Sequence, residues 1–219
     1  MPRPRVHSTD VILDAARDLL LTGARRATVA EIAAISGAPK GSIYHRFGSL
    51  EELLARLWIR AIRRFQAGFL NALVAEDPRQ AALAGALWMH DFSELHPADA
   101  RLLASLRRED LIESIHNPDL RHELEGLNDE VTRKMRHLAR GLHGRAGSTA
   151  MVRTRLAVVD LAHGAVRRYL LAGQPMPPGL REEIAVAVQA VLNTAEASQP
   201  DETARARQPR QHLDLPPRD

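Results

Sequence analysis

The chain of 219 residues contains no cysteine, which excludes disulfides, thiolate zinc sites and a cysteine nucleophile and agrees with a reducing cytoplasm. Long hydrophobic runs are also missing. The two longest nearly apolar stretches, Ala81 to Met89 and Ile184 to Leu192, reach about half of what a bilayer span needs. Asp10, Asp14 and Asp18 interrupt the apolar pattern of the N-terminal segment, which a signal-peptide core would not tolerate. A soluble, unexported, cytoplasmic protein with no membrane partner is the expectation. No Gly-rich phosphate loop, nucleophile elbow or H-E-x-x-H motif occurs, so the usual signatures of an enzyme are lacking and no cofactor is expected. No apolar/polar alternation bounded by hairpin turns appears either, and the expected fold class is all-α.

What remains is an ordinary globular composition, 45% hydrophobic and 26% charged, which argues against disorder throughout. Its net charge of +3 is too small to predict nucleic-acid binding by itself. The distribution is more telling. Residues 1–47 hold Arg3, Arg5, Arg17, Arg25, Arg26, Lys40 and Arg46 against Asp10, Asp14, Asp18 and Glu31, so the formal excess sits in this first quarter. Lys40 and Lys134 are the only lysines; this arginine bias, with abundant alanine, associates with a GC-rich genome.

The same quarter contains the stretch that organises the chain, TVAEIAAISGAPKGSIYHRF from Thr28 to Phe47. Thr28 and Glu31 stand in the S/T-x-x-E capping relation, so a helix should run from there to about Ile35 with Val29, Ile32 and Ala33 inward. Gly37 suits a left-handed turn, and Pro39 suits the first position of a second helix, where its missing N–H costs nothing. On that helix Ile43 and Phe47 share one side, while Gly41, Ser42 and His45 lie opposite, flanked by Tyr44. Small residues at the start permit a phosphate to approach the helix N-terminus, where backbone N–H groups and the dipole attract it. Lys40 adds charge, Tyr44 a hydroxyl, and His45 the reach to a base edge or phosphate. Helix, tight turn and helix form the pattern of a DNA reader.

These residues resemble the tetracycline-repressor-like (TetR) family of bacterial transcription regulators. The match runs through Ile12-Leu13, Ala15-Ala16, Leu19, Gly23, Thr28-Val29, Ile32-Ala33, Gly37, Lys40-Gly41-Ser42-Ile43-Tyr44, Phe47 and Glu51-Glu52-Leu53-Leu54. Two positions depart from the family pattern. Pro39 replaces a usual Ser or Thr, and Leu50 replaces a lysine that often touches the DNA backbone, so that contact is not assigned to Leu50. The resemblance implies an N-terminal three-helix helix-turn-helix DNA-binding domain over residues 1–48; its first seven residues, with Pro2, Arg3, Pro4 and Arg5, read as a basic arm or equally as a disordered terminus. A larger helical ligand-binding and dimerisation domain over 49–197 and a disordered tail over 198–219 complete the expectation. The implied partners are double-stranded DNA, a second copy of the chain and an unknown small-molecule effector. Thr28, Lys40, Gly41, Ser42, Tyr44 and His45 are the expected DNA contacts.

Helix boundaries follow from caps and breakers. A first helix is expected over Thr9 to Thr22, stopped by Gly23; a long one from the Ser49-x-x-Glu52 box to about Ala75; then Pro78 to Leu95, Pro97 to Ile115 and Pro118 to Leu142. Beyond the break at Gly144 and Gly147, apolar stripes predict helices over Thr149 to Leu171 and Pro178 to Ala197. The resemblance makes these two the dimer interface, although an intrachain core would show the same stripes. Candidate effector contacts are Trp88, His90, Phe92, Leu103, Leu106, His163 and Val166, all equally readable as ordinary core. His90 with Glu94 and Asp160 with His163 have ligand spacing, but without a dense motif no metal is assigned. The leading reading is a ligand-responsive dimeric repressor of a palindromic operator. An all-helical enzyme using the His and carboxylate residues, and an adaptor that kept the fold without reading sequence, are the competing classes.

Overall fold

A computed structural model of the protein describes residues 8–22 and 27–197. The expected basic arm, the helix stop at Gly23, Arg25 and Arg26, and the expected tail lie outside the described residues. Twelve helices and no strand are found among those described.

The first three helices are set by their ends. In α1 (Thr9–Leu21) the Ser8 hydroxyl accepts the Val11 N–H at 3.2 Å, satisfying one of the donors that a helix start leaves open. In α2 (Val29–Ser36) the capping box closes both ways: Glu31 N–H donates to Thr28 Oγ1, and Thr28 N–H donates to the Glu31 carboxylate at 3.0 Å. Gly37 then turns the chain with φ 69°, a left-handed conformation that a Cβ disfavours. Pro39 sits one residue earlier than expected, as the cap rather than the first turn of α3 (Lys40–Phe47), because its ψ of 138° is extended. Its fixed φ of −58° still pre-shapes the entry, and its carbonyl accepts from Ser42 and Ile43 N–H.

Helix α4 (Leu50–Ala72) starts on Ser49, whose hydroxyl accepts from Glu52 N–H, and ends three residues before the expected Ala75. The helix α5 (Pro78–Leu95) starts on Asp77 and Pro78 as expected. Each of the next two expected helices is broken. Pro97 opens α6 (Pro97–Ser105), but Leu106 is extended and a separate α7 (Arg108–Ser114) follows. Ser105 Oγ bonds the Leu102 carbonyl, a local alternative that weakens helix continuation. Helix α8 (Pro118–Gly126) ends at Leu127, and α9 (Asp129–His143) begins after Asn128. Gln66 of α4 donates to both the Leu127 carbonyl and Asn128 Oδ1 at 3.0 Å, so a tertiary contact stabilises a break the local periodicity did not announce.

The stripe from Thr149 onward forms α10 (Ser148–Arg155), a π-helical turn (Leu156–Asp160) and α11 (Leu161–Ala172). Buried Thr154 bonds the Ala150 carbonyl just before the π turn, competing with the regular ladder. Helix α12 (Leu180–Ala197) starts two residues after the expected Pro178.

Three apolar clusters hold these elements. One joins α1, α2, α3 and one face of α4, with Ile12, Ile32, Ile43, Phe47, Leu53 and Leu57 buried and Leu102 of α6 added. The largest packs α5, α9, the α10–α11 segment and α12 around the end of α4. A smaller one lies between α4, α7 and α8. Asp99 of α6, only 2% exposed, ties the first cluster to the remainder: it pairs with Arg17 of α1 at 3.3 Å and with Arg64 of α4. Arg101 adds a hydrogen bond to the Leu21 carbonyl at 3.4 Å.

Candidate nucleic-acid interface

Helix α3 rests on Ile43 and Phe47, both buried, so its register on the protein is fixed and its opposite face must point outward. Ser36 secures the preceding turn, its hydroxyl accepting from Ala38 N–H at 3.3 Å. The end of α3 closes with Gly48 N–H on the Tyr44 carbonyl at 2.8 Å and φ 82° at Gly48. Between these fixed ends the outward side chains are Lys40, Gly41, His45 and Tyr44, the last 53% exposed, with Ser42 partly exposed. The side chains of Lys40, Tyr44 and His45 make no hydrogen bond or ion pair among the described residues.

The start of α3 has no side-chain cap. Pro39 cannot supply one, so the Lys40 and Gly41 amide donors, ahead of those that the Pro39 carbonyl accepts, stay open to an outside acceptor. A Cβ placed on Gly41 would meet nothing within 4 Å, which leaves space at that end for a bulky acceptor such as phosphate. Thr28 is exposed at the α2 start, but its hydroxyl already donates to Glu31 at 2.7 Å, so an outside contact there shares a committed group. Arg46 reaches Thr9 Oγ1 at 3.4 Å and links the end of α3 to the start of α1.

The candidate effector residues are not gathered into one pocket. Trp88 donates its indole N–H to the Phe65 carbonyl at 2.8 Å and lies against Gly68, where an added Cβ would collide with its ring. Phe92 is buried against Phe65, ring centroids 5.2 Å apart, and beside Trp88. Val166 is buried in the largest cluster and His163 is exposed. Leu103 and Leu106 are partly buried between the first cluster and the small one. His90 Nδ1 stands 3.4 Å from Asp91, whose carboxylate takes two hydrogen bonds from Arg181 at 2.7 and 3.0 Å. Partial burial alone would raise the Asp91 carboxyl, but the Arg181 hydrogen bonds and charge, helped by His90, outweigh it and hold the group below the usual range. Among the described residues no group of three His, Asp or Glu side chains could hold a metal. No described helix is long and apolar enough to cross a membrane.

Sequence reasoning passed over three buried polar groups. Gln66, Asp99 and the Trp58 indole all fell within apolar helical patterns, and only the partners, or their absence, set them apart.

Residues 12–57 match the model of the family described as bacterial regulatory proteins, tetR family. No curated protein matches the chain. Among solved structures it resembles the TetR family transcriptional regulator PfmR from Thermus thermophilus, with 20% identity, 84% of this chain and 97% of that one covered, and a TM-score of 0.64. A TetR-like transcriptional regulator from Rhodococcus sp. RHA1 shares 18% identity over 91% and 100% of the two chains, with a TM-score of 0.61. A regulator from Pseudomonas aeruginosa PAO1 shares 18% over 87% and 90%, with a TM-score of 0.64. Residues 12–57 thus carry the helix-turn-helix of the tetR family of bacterial regulatory proteins, and the all-helical fold behind it is the fold of these solved regulators.

Proposed function

We propose that the protein is a ligand-responsive repressor that binds a palindromic operator as a homodimer, with α3 in the major groove. The observation that carries this reading is the outward face of α3: an uncapped helix start beside Lys40, Gly41 and Ser42, with Tyr44 and His45 unpartnered and Ile43 and Phe47 fixing the register. Lys40, Tyr44 and the open amides contact phosphate, and His45 contacts a base edge; Thr28 adds a phosphate contact from the start of α2.

One short helix reads only a few base pairs, so two heads spaced by about 34 Å on one DNA face are needed for a useful site. Dimerisation through the continuous α10–α11 segment and α12 is supported by exposed apolar side chains along them: Val152, Leu156, Leu171 and Val186. Residues 1–48 serve as the reading domain and 49–197 as the effector and dimer domain, in a protein that acts in the cytoplasm without catalysis. An effector that favours mismatched head spacing releases the DNA through its differential affinity for the two conformations.

The test is to incubate the protein with sheared genomic DNA from its source, recover what it retains and sequence it. A few sharp sites sharing an inverted repeat support the reading. Diffuse, salt-labile recovery without a shared motif contradicts it.

A further inference from the structure

Charge along the middle of the chain is sorted by sign. Residues 109–130 hold eight carboxylates and one arginine, whereas residues 131–159 hold seven cations and no carboxylate. Protein surfaces usually intersperse the two signs, which limits self-repulsion. The change of sign falls within α9. At one residue per 100° of turn, Asp129, Arg133, Arg136 and Arg140 lie in one stripe about 60° wide and about 16 Å long, a carboxylate at its start and arginines along the rest. All four are exposed.

The helix dipole accounts for Asp129 and Glu130 in the first turn and Arg140 in the last. It does not account for Arg136, which stands one turn from both Arg133 and Arg140 and is repelled by them. Arg133 is offset by Glu130 at 3.4 Å. The side chains of Asp129, Arg136 and Arg140 make no hydrogen bond or ion pair among the described residues.

The acidic and basic fields adjoin on one side of the molecule. Glu123 of α8 and Asp129, Glu130 and Arg133 of α9 line the same open groove against α4. Asp119 and Glu125 of α8 are exposed as well. A nucleic acid laid on the arginines would meet these carboxylates and be repelled. A membrane would find no large apolar side chain exposed on α7, α8 or α9 to insert. A surface with both signs side by side is instead complementary to itself, because a two-fold contact sets each half of the patch against the other half.

We infer that α9 is a contact between two copies of the chain, paired antiparallel about a two-fold axis near Thr132. This register sets Arg136 of each copy against Asp129 of the other and carries Arg140 toward the Glu125 end of α8. Arg133, close to the axis, stays neutralised by its own Glu130. The contact is polar and uses a different face from the exposed apolar residues of α10–α12, so it is sensitive to salt and stands whether or not those helices pair. Combined with DNA binding, it makes occupancy of adjacent sites cooperative.

The test is the mass of the full-length protein by light scattering in about 50 mM and about 500 mM salt. Wild type should have at least twice the mass in low salt. Arg136→Glu with Arg140→Glu makes the patch acidic throughout, and Glu125→Arg with Asp129→Arg makes it basic. Each variant alone should keep its high-salt mass in low salt, its association weakened by at least roughly tenfold. An equimolar mixture of the two should regain the low-salt mass, a rescue that misfolded variants would not give. A wild-type mass independent of salt, variants that associate alone, or a mixture that does not associate overturns the contact. So does a wild type that gains no mass but binds a duplex without an operator through Arg136 and Arg140, which would make the stripe a nucleic-acid surface. The high-salt mass reads the α10–α12 pairing separately: a monomer there contradicts that pairing and leaves the α9 contact standing.

Discussion

The two faces of α4 are held in different ways. Toward α1, α2 and α3 it meets a core closed by helices with matched caps and fixed turns, and Asp99 with Arg17 and Arg64 binds that core to α6. Toward α7 and α8 it meets a thin cover of two short helices with a polar group left over inside. One helix therefore joins a broad core, closed by four helices, to a thinner cover of two short ones.

Cavity-creating substitutions on the two sides break this comparison most forcefully. Phe47→Ala should cost about 3–5 kcal/mol, as for a fully enclosed ring, and abolish DNA binding through loss of the α3 register. Leu120→Ala, although equally buried, should fall near the lower end of the roughly 2–5 kcal/mol range for a leucine, because the α7–α8 cover can settle into the space. Urea unfolding of both variants checks the order; equal losses would remove the contrast between the faces.

Next in size is Asp99→Ala. Removing a buried partner from two arginines is strongly destabilising in a dry site, but Arg17 and Arg64 keep access to water, so the loss should be about 1–3 kcal/mol. The head should loosen from α6, read as increased hydrogen exchange in α1 with α12 unchanged.

Thr28→Ala should cost about 1 kcal/mol through loss of the α2 cap, with thermal unfolding as the readout. The smallest effect is acid sensitivity between α5 and α12. Asp91 is held below the usual carboxylate range, so the unfolded chain takes up its proton first as pH falls. The pair with Arg181 contributes stability above the unfolded carboxylate range, and that contribution disappears as pH drops through the folded value. Asp91→Asn should flatten this part of the stability profile between pH 5 and 3, on the order of the usual carboxylate titration range.

How far the chain could be read from sequence follows the same division. The capping box at Thr28 and Glu31, the Gly37 turn and the inward Ile43 and Phe47 are local matters of spacing and residue type, and all were legible. The breaks at Leu106 and Leu127 were not, since the latter depends on Gln66, about sixty positions earlier in the chain. Trp58 was readable as an inward residue of α4, but whether a buried indole has an acceptor is decided by neighbours that periodicity does not identify. The candidate effector residues scattered for the same reason: Trp88 and Phe92 had the right composition for a pocket but are committed to packing between α4 and α5.

The most direct test of the reading face is a set of salt-dependent affinities for one recovered operator and its single-base variants, measured with wild type, Lys40→Ala, Tyr44→Phe and His45→Ala. Lys40→Ala and Tyr44→Phe should weaken every site, and the lysine substitution should reduce the salt slope by about one counterion per head because a phosphate contact is lost. His45→Ala should change the ranking of the variants. Binding profiles unchanged in all three proteins would contradict the assignment of α3 as the helix that reads DNA.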